Sequence, residues 1–342
     1  MEGMSLPTPP SLLHRPRIYI HRISSQRYPL YMDEANHAAL AKFAKIVSDG
    51  PRDTAMSADE LVARLSGCDA ILSLGGGGSH EITPEVLRTV GSVRAICIAH
   101  WCEQLVDTAK AAGIPLVEGS NANTVAVAEW TLAAALAGVR RLHEFDRRLK
   151  DGSPWAEPRF SVGLLAGSVV GLVGLGRIGR YVARMFRALG LTVLAYDPGL
   201  SAEQGAELGV ELLGLDDVLR RSDIVSLHLP VIPATRGLIS AEKLALLRDG
   251  CLFINSARAV LCDEAALVGE LQRGRISAAL DVFAVEPLAL DHPLRGLDNV
   301  LITPHFAGDN VAMTRLCAKQ AIVTLRRFFT GDGLHDARYC FP

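Results

Sequence analysis

The chain has no run long and apolar enough to read as a membrane span. Its most hydrophobic stretch, Val125 to Val139, is interrupted by Glu129 and falls short of the roughly 20 residues that cross a bilayer. It also has no strong charge of either sign: 35 Lys and Arg stand against 37 Asp and Glu, a net charge of −2. Without a basic cluster, nucleic acid and anionic membrane are poor partners. Metal-type cysteine spacing is missing as well. Seven cysteines fall at 68, 97, 102, 251, 262, 317 and 340, an odd number that points to reduced thiols, a cytoplasmic setting and no metal site. Residues 1–16 are rich in proline and lack the apolar core of a signal peptide, so they read as a disordered leader. No repeat or long low-complexity tract is present.

What is present is material for a core. Hydrophobic residues make up 49% of 342 positions and charged residues 21%, which suits two domains of ordinary size. The first half alternates strand and helix. Arg17–His21 reads as a strand, Glu34–Ile46 as a helix, and Ser57 caps a helix over Ala58–Leu65. Asp69–Leu74 is a strand, and Thr83-Pro84 opens a helix. Arg94–Ile98, Glu103–Ala112 and Pro115–Val117 follow as strand, helix and strand. Such a rhythm implies a parallel sheet with helices on both faces. A long helical stretch covers Asn123 to Lys150. Its first part is apolar nearly all round and must be buried on every side, in an internal core or against another subunit.

The second half starts the rhythm again, with strands at Ser168–Val173, Leu191–Tyr196, Ile224–His228, Cys251–Asn255, Ala278–Val282 and Val300–Thr303. A helix over Arg177–Leu189 follows the first of them, and one over Asn310–Phe329 closes the structured part. Between the first strand and its helix lies GLVGLGRIGR, with Gly174, Gly176 and Gly179 in G-x-G-x-x-G spacing and Asp197 ending the next strand. That context is the dinucleotide-binding fingerprint. Gly174 permits the tight turn, Gly176 lets a pyrophosphate approach the helix N-terminus, and Gly179 lets helix pack on strand. Asp197 can bind the adenosine ribose and would repel a 2′-phosphate, favouring NAD over NADP. A plain strand–helix turn with a surface aspartate is the alternative.

Three polar stretches sit at later strand ends: FINSARAV with Arg258, ALDVFAVEPL with Asp281 and Glu286, and LITPHFAG with His305. Reduction of a 2-keto acid needs a guanidinium to grip the carboxylate, a general acid for the carbonyl oxygen, and a carboxylate to orient that acid. Arg258, His305 and Glu286 match by type. Singly, each could be a surface arginine, a loop histidine or a turn cap.

Together these stretches resemble the D-isomer-specific 2-hydroxyacid dehydrogenases, most densely from Val169 to Gly308, with NTVAVAEWTLAAAL (123–136) resembling the family's helix into its cofactor domain. The resemblance implies two doubly wound parallel-sheet α/β domains: a flavodoxin-like substrate domain over 17–120 plus 311–342, and a Rossmann NAD-binding domain over 121–310. It implies an NAD-dependent oxidoreductase in which Arg258 binds substrate, His305 is the acid–base and Glu286 its partner. Asp281 would touch the nicotinamide end. Arg177, Ile178, Pro230 and Ala257 would join the glycines and Asp197 around the cofactor. A homodimer joined through the cofactor domain is expected, with a small 2-keto or 2-hydroxy acid as the other partner. The same fold also serves NAD-responsive corepressors, so a binding protein with little turnover is the alternative. No peptide-binding cleft or regulatory tail is visible, and an added regulatory domain is not expected.

Two departures from the family pattern stand out. Ala259 replaces the usual glycine after the arginine, a small change. The turn in IAHWCEQLVD carries His100, Trp101, Cys102 and Glu103 where the family has a glycine-rich turn that holds the substrate carboxylate. Bulky side chains there would select a substrate other than glyoxylate or simple lactate, unless they point away. The stretch SLGGGGS, residues 73–79, lacks the Lys-Ser/Thr ending of a P-loop. Its bare N–H groups could form an anion-binding concavity, making Gly77, Gly78, Ala99 and His100 candidate substrate contacts. It holds no Lys or Arg, which argues against a phosphorylated substrate. A loop that permits domain closure is the alternative.

Overall fold

A computed structural model describes residues 15–21, 26–48, 50–74, 78–100, 102–118, 123–153, 155, 162–331 and 340–341. It divides into two units, residues 1–123 with 310–342, and residues 124–309. Most of the expected leader, up to residue 14, lies outside the described residues.

In the first unit β1 (Arg17–His21), β2 (Lys45–Val47), β3 (Ala70–Ser73), β4 (Ala95–Ile98) and β5 (Leu116–Glu118) run parallel. The second unit holds seven strands: β6 (Val169–Val173), β7 (Thr192–Tyr196), β8 (Glu211–Leu212), β9 (Ile224–Leu227), β10 (Leu252–Asn255), β11 (Ser277–Leu280) and β12 (Val300–Ile302). The last short strand, β13 (Cys340–Phe341), returns to the first sheet antiparallel to β5. The orders are β13-β5-β4-β3-β1-β2 and β12-β11-β10-β9-β6-β7-β8, the second parallel throughout.

Both sheets are apolar on both faces because helices cover both. The period of two sorts the side chains. Phe253 joins one apolar cluster of the second unit with Val225 and Leu280. Its neighbours Leu252 and Ile254 join the opposite cluster with Leu172 and Val182. In the first unit Ile18, Ile20, Leu72 and Cys97 face one way, and Tyr19, Ile71 and Ile96 the other. Caps stop and start the helices as their chemistry requires. Ser57 accepts from the Glu60 N–H while the Glu60 carboxylate accepts from the Ser57 N–H.

Two expected helices are cut short. Glu34–Ile46 is helical only to Ala41; the Ala44 N–H then turns back onto Leu40, and Lys45–Val47 pairs with β1 instead. The stretch 123–150 breaks into Thr124–Val139 and Leu142–Lys150 at Arg141, whose φ is 53° and whose guanidinium is paired with Glu144. Its apolar half packs on the sheet and on the helix Arg177–Ala188, while Leu136 stays exposed. Among the described residues no helix is long and apolar enough to cross a membrane, and no group of side chains could hold a metal ion.

A buried ion pair closes one end of the first sheet. Glu81 accepts from both Nη atoms of Arg52 (2.8 and 2.6 Å), from the Met56 N–H (2.6 Å) and from His21 Nε2 (3.2 Å). Burial alone would push its carboxyl up; the hydrogen bonds from Arg52, His21 and Met56 outweigh that and hold it far below the usual carboxylate range. A carboxyl depressed in the fold stabilises above its unfolded pKa of about 4.3 and loses that contribution as pH falls. Glu81→Gln is therefore expected to cost about 3 kcal/mol at pH 7, in the range for a buried pair losing one partner. In urea unfolding the gap from wild type should close below about pH 4.

Candidate functional site

The glycine turn leaves β6 at its carboxyl end. Gly174 has φ 104°, and a Cβ there would lie 2.7 Å from the His228 carbonyl oxygen. A Cβ on Gly179 would lie 2.1 Å from the Gly174 carbonyl oxygen, so this glycine lets the helix close onto the turn, while Val182 and Phe186 pack with Val170 and Leu172 of β6. Gly176 differs: nothing stands within 4 Å of its missing side chain. Open space over a bare helix N-terminus is what an approaching pyrophosphate requires, so the residues present fit a dinucleotide. Asp197, after β7, ties this turn down. Its Oδ2 accepts from the Leu175 N–H (2.7 Å) and its Oδ1 from the Gly199 N–H (2.9 Å). A carboxylate accepts about four hydrogen bonds, so capacity remains for ribose hydroxyls. Arg177 and Ile178 open the helix, Ile178 partly buried in the core, and Pro230 lies exposed after β9.

His228, also after β9, bonds Ser226 through Nε2 (3.0 Å), and burial pushes its imidazole down to about 4. It is a neutral wall of the turn. Burial likewise pushes the thiols of Cys251 and Cys262 up to about 12, far from the thiolate a nucleophile needs.

Arg258 follows β10. Asn255, buried at the strand end, clasps its loop by accepting from the Ala257 N–H (3.0 Å) and donating to the Arg258 carbonyl (3.0 Å). Glu286 and His305 leave the neighbouring strands β11 and β12. His305 Nδ1 lies 2.7 Å from Glu286 Oε2, with side chains 44% and 36% exposed. A carboxylate only accepts, so Nδ1 carries the proton of this bond. Glu286 is pinned by its other oxygen, which accepts from the Phe283 N–H (3.0 Å). Partial burial pushes the Glu286 carboxyl up, but the bonds from His305 and Phe283 and the charges of His305 and Arg258 bring it below the usual range. The pair borders a cavity of about 660 Å³ walled also by Phe283, Leu288, Ile302 and Pro304, within the size range of small-molecule sites.

The structure therefore brings Arg258, Glu286 and His305 to one end of one sheet. Asp281 joins them, but its carboxylate turns to the chain itself: it accepts from the Thr303 hydroxyl and from the N–H groups of Phe306 and Ala307 (both 2.8 Å). Asn255 and Thr303 escaped the sequence reading. An asparagine just before an arginine at a strand end is an Asx-turn signal that could have found the first; Thr303 has no such local mark. In the first unit Gly78 (φ 84°), Ala99 and His100 lie at the ends of the paired strands β3 and β4, where the Ala99 N–H donates to the Ser73 carbonyl (2.8 Å). Gly77 and Trp101 lie outside the described residues.

The sequence pattern of the D-isomer specific 2-hydroxyacid dehydrogenase, NAD binding domain, matches residues 132–307. The chain is 37% identical over 292 residues to the D-3-phosphoglycerate dehydrogenase of Mycobacterium tuberculosis (strain ATCC 25618 / H37Rv), covering 84% of this chain and 53% of that protein. It thus spans about half the length of that relative. It is 33% identical over 324 residues to the glyoxylate reductase of Thermofilum pendens, covering 91% of this chain and 92% of that one. The solved D-lactate dehydrogenase with NAD+ from Lactobacillus jensenii superposes with a TM-score of 0.75 at 25% identity, over 95% of this chain and 99% of that one. The apo D-mandelate dehydrogenase of Rhodotorula graminis, at TM-score 0.80 and 23% identity over 92% of this chain and 94% of that one, shares the fold.

The collision at Gly179 gives a test of the turn. Gly179→Ala forces backbone apart, and overpacking of this kind costs about 1–3 kcal/mol. Fluorescence titration should show weaker NADH binding together with a lower Tm.

Proposed function

This chain belongs to the D-isomer-specific 2-hydroxyacid dehydrogenases, and on that footing we propose that it interconverts a 2-keto acid and its D-2-hydroxy acid with NAD(H). The second unit is the cofactor domain in this reading and the first the substrate domain. The observation that carries the proposal is the 2.7 Å contact of His305 with Glu286, in a unit that also bears the dinucleotide turn. Gly174, Gly176, Gly179 and Asp197 would hold the dinucleotide, and bound NADH supplies the hydride. Arg258 grips the carboxylate of the acid in a planar fork and polarises the keto group. His305 gives the proton on Nε2 to the keto oxygen, and in the reverse direction takes it from the hydroxyl. Glu286 keeps the ring turned outward and balances the imidazolium.

The charge of Asp197 beside the ribose favours NAD(H) over a cofactor with a 2′-phosphate. Residues 73–79, without Lys or Arg, favour an acid with no phosphate group. Gly77, Gly78, Ala99 and His100 are the proposed substrate contacts, and the bulk at 100–103 favours an acid larger than glyoxylate or lactate. Two copies of the chain would join through the second unit, where Leu136, Leu142 and Leu149 are exposed. The free cysteines suit a reducing, cytoplasmic compartment.

NADH oxidation should be followed with a panel of 2-keto acids: hydroxypyruvate, phenylpyruvate, 2-ketoisocaproate, oxaloacetate and glyoxylate. His305→Gln is expected to lower kcat by about 10² to 10⁴, the range for a lost general acid. Binding of NADH without turnover of any acid would overturn the enzymatic reading, and glyoxylate as the best substrate would overturn the substrate preference.

A further inference from the structure

We propose that Ser79 and Glu81 are positioning residues for the substrate: Glu81, gripped by Arg52 and His21, and Ser79, bonded to Gln104, hold the glycine run and the 98–103 turn in one pre-formed arrangement. The proposal rests on the reading of these two loops as the substrate contacts of the first unit.

Glycine backbone has the most conformational freedom to lose on ordering. A run of four, Gly75 to Gly78, can offer its N–H groups as one fixed concavity only where both of its ends are anchored. At its start the anchor is the sheet. The Leu74 N–H donates to the His21 carbonyl (3.0 Å), and the Ser73 carbonyl accepts from the Ala99 N–H (2.8 Å). At its end the chain passes Gly78 (φ 84°) into a single 3₁₀ turn, Ser79–Glu81. The hydrogen bonds of such a turn are poorer than those of an α-helix, so the turn is no anchor by itself. Two of its side chains supply the rest. Ser79 is 4% exposed and Glu81 7%, and each reaches a different neighbour.

Glu81 reaches back to the end of β1 and to residues 52–56. Its Oε1 accepts from Arg52 Nη1 and the Met56 N–H, and its Oε2 from Arg52 Nη2 and His21 Nε2. Four bonds are about the capacity of a carboxylate, so none is left for a ligand and the role of Glu81 is to hold. Arg52 is held in turn, since its Nη1 also donates to the Thr54 carbonyl (2.7 Å). Ser79 reaches the other way. Its hydroxyl donates to Gln104 Oε1 (3.2 Å), and Gln104 lies in the first turn of the helix Glu103–Ala112, directly after the 98–103 turn. One hydroxyl thus joins the loops that leave the neighbouring strands β3 and β4. The sheet itself does not depend on either contact, because β1, β3 and β4 pair through their own backbone. What the contacts add is order at the loops before a substrate arrives, which lowers the cost of binding it.

The test uses the full chain with Ser79→Ala, Gln104→Ala, their double variant, Arg52→Lys, His100→Ala and Gly77→Val. Tm is read for each, NADH affinity by fluorescence titration, and kcat and KM at saturating NADH with the best keto acid of the panel. Ser79→Ala and Gln104→Ala are each expected to raise the KM for keto acid about two- to tenfold, the worth of one neutral hydrogen bond. Their kcat and NADH affinity should stay within about twofold of wild type, the signature of binding lost equally from ground and transition states. The double variant should match the single ones, because all three remove the same bond. Arg52→Lys keeps the charge but cannot fork onto Glu81, and should raise KM at least as far. If Arg52→Lys does not fold, the cycle of Ser79 and Gln104 decides, since Gln104 is exposed. A lower Tm with KM unchanged in the Ser79 and Gln104 variants overturns the proposal, because the bond then serves the fold alone. A double variant whose KM is the product of the two single effects also overturns it, as does a fall in kcat or NADH affinity at unchanged KM. If neither His100→Ala nor Gly77→Val changes KM, the reading of these loops as substrate contacts fails and this proposal falls with it; if they raise KM while Ser79→Ala and Gln104→Ala do not, only this proposal fails.

Discussion

In the second unit all seven strands run the same way, so every loop at their carboxyl ends leaves the sheet along one edge. This one constraint assembles the candidate site from residues far apart in the chain. The glycine turn leaves β6, Asp197 leaves β7, Arg258 leaves β10, Asp281 and Glu286 leave β11, and His305 leaves β12. The order β12-β11-β10-β9-β6-β7-β8 also divides these groups. The chain runs outward one way from β6 to β8, then crosses back to β9 and runs outward the other way. Open parallel sheets bind ligands at such a reversal. Asp197, the proposed anchor for a ribose, stands on one side of it, and the guanidinium, imidazole and carboxylates stand on the other.

Three glycines in one short motif answer to three separate physical demands. At Gly174 the demand is conformational, since φ is 104° and carbonyl backbone crowds the missing side chain. At Gly179 it is packing, since a Cβ would strike the carbonyl of Gly174. At Gly176 nothing stands within 4 Å of the missing side chain, and the proposed demand is a ligand's approach. A structural turn would not need glycine at a position with open space in front of it and ordinary φ. The pattern therefore separates the part of the motif that folds the turn from the part proposed to receive a ligand.

Much of this was legible in the sequence, because much of it is local. The alternation of strand and helix, the Ser57 and Thr83 caps and the glycine spacing are all written within a few residues of where they act. The misreadings lie where a local pattern meets a distant partner. Residues up to Ile46 continue a helical pattern, yet the helix stops at Ala41 and Lys45–Val47 pair with β1 instead. Residues 123–150 look helical throughout, yet the helix ends at Val139 and a second starts at Leu142, with Arg141 between them at φ 53°. Arg258, Glu286 and His305 could be picked out by residue type. Asp281 could be picked out too, but its partners could not: they lie 22 to 26 residues on, and nothing near them marks the backbone of His305, whose φ is 60°.

The arrangement also separates what is transformed from what is chosen. In the proposed reaction a guanidinium, an imidazole and its carboxylate would act on the carboxyl and carbonyl groups that every 2-keto acid shares, and none of them would read the third substituent. Proteins that resemble this chain bear names as different as D-3-phosphoglycerate dehydrogenase and glyoxylate reductase, as expected when chemistry is carried by strand ends and choice by loops. In this chain the turn that departs from the family pattern, 98–103, and the glycine run at 75–78 both lie outside the matched residues 132–307. A glycine run offers backbone N–H groups and no charge; His100 and Trp101 offer bulk and polarity. Such a pair of loops suits a substrate told apart by the shape of an uncharged side chain more than by a second ionic group. The identity of that side chain is therefore to be sought by varying residues 98–103 while the imidazole, guanidinium and carboxylates are left untouched.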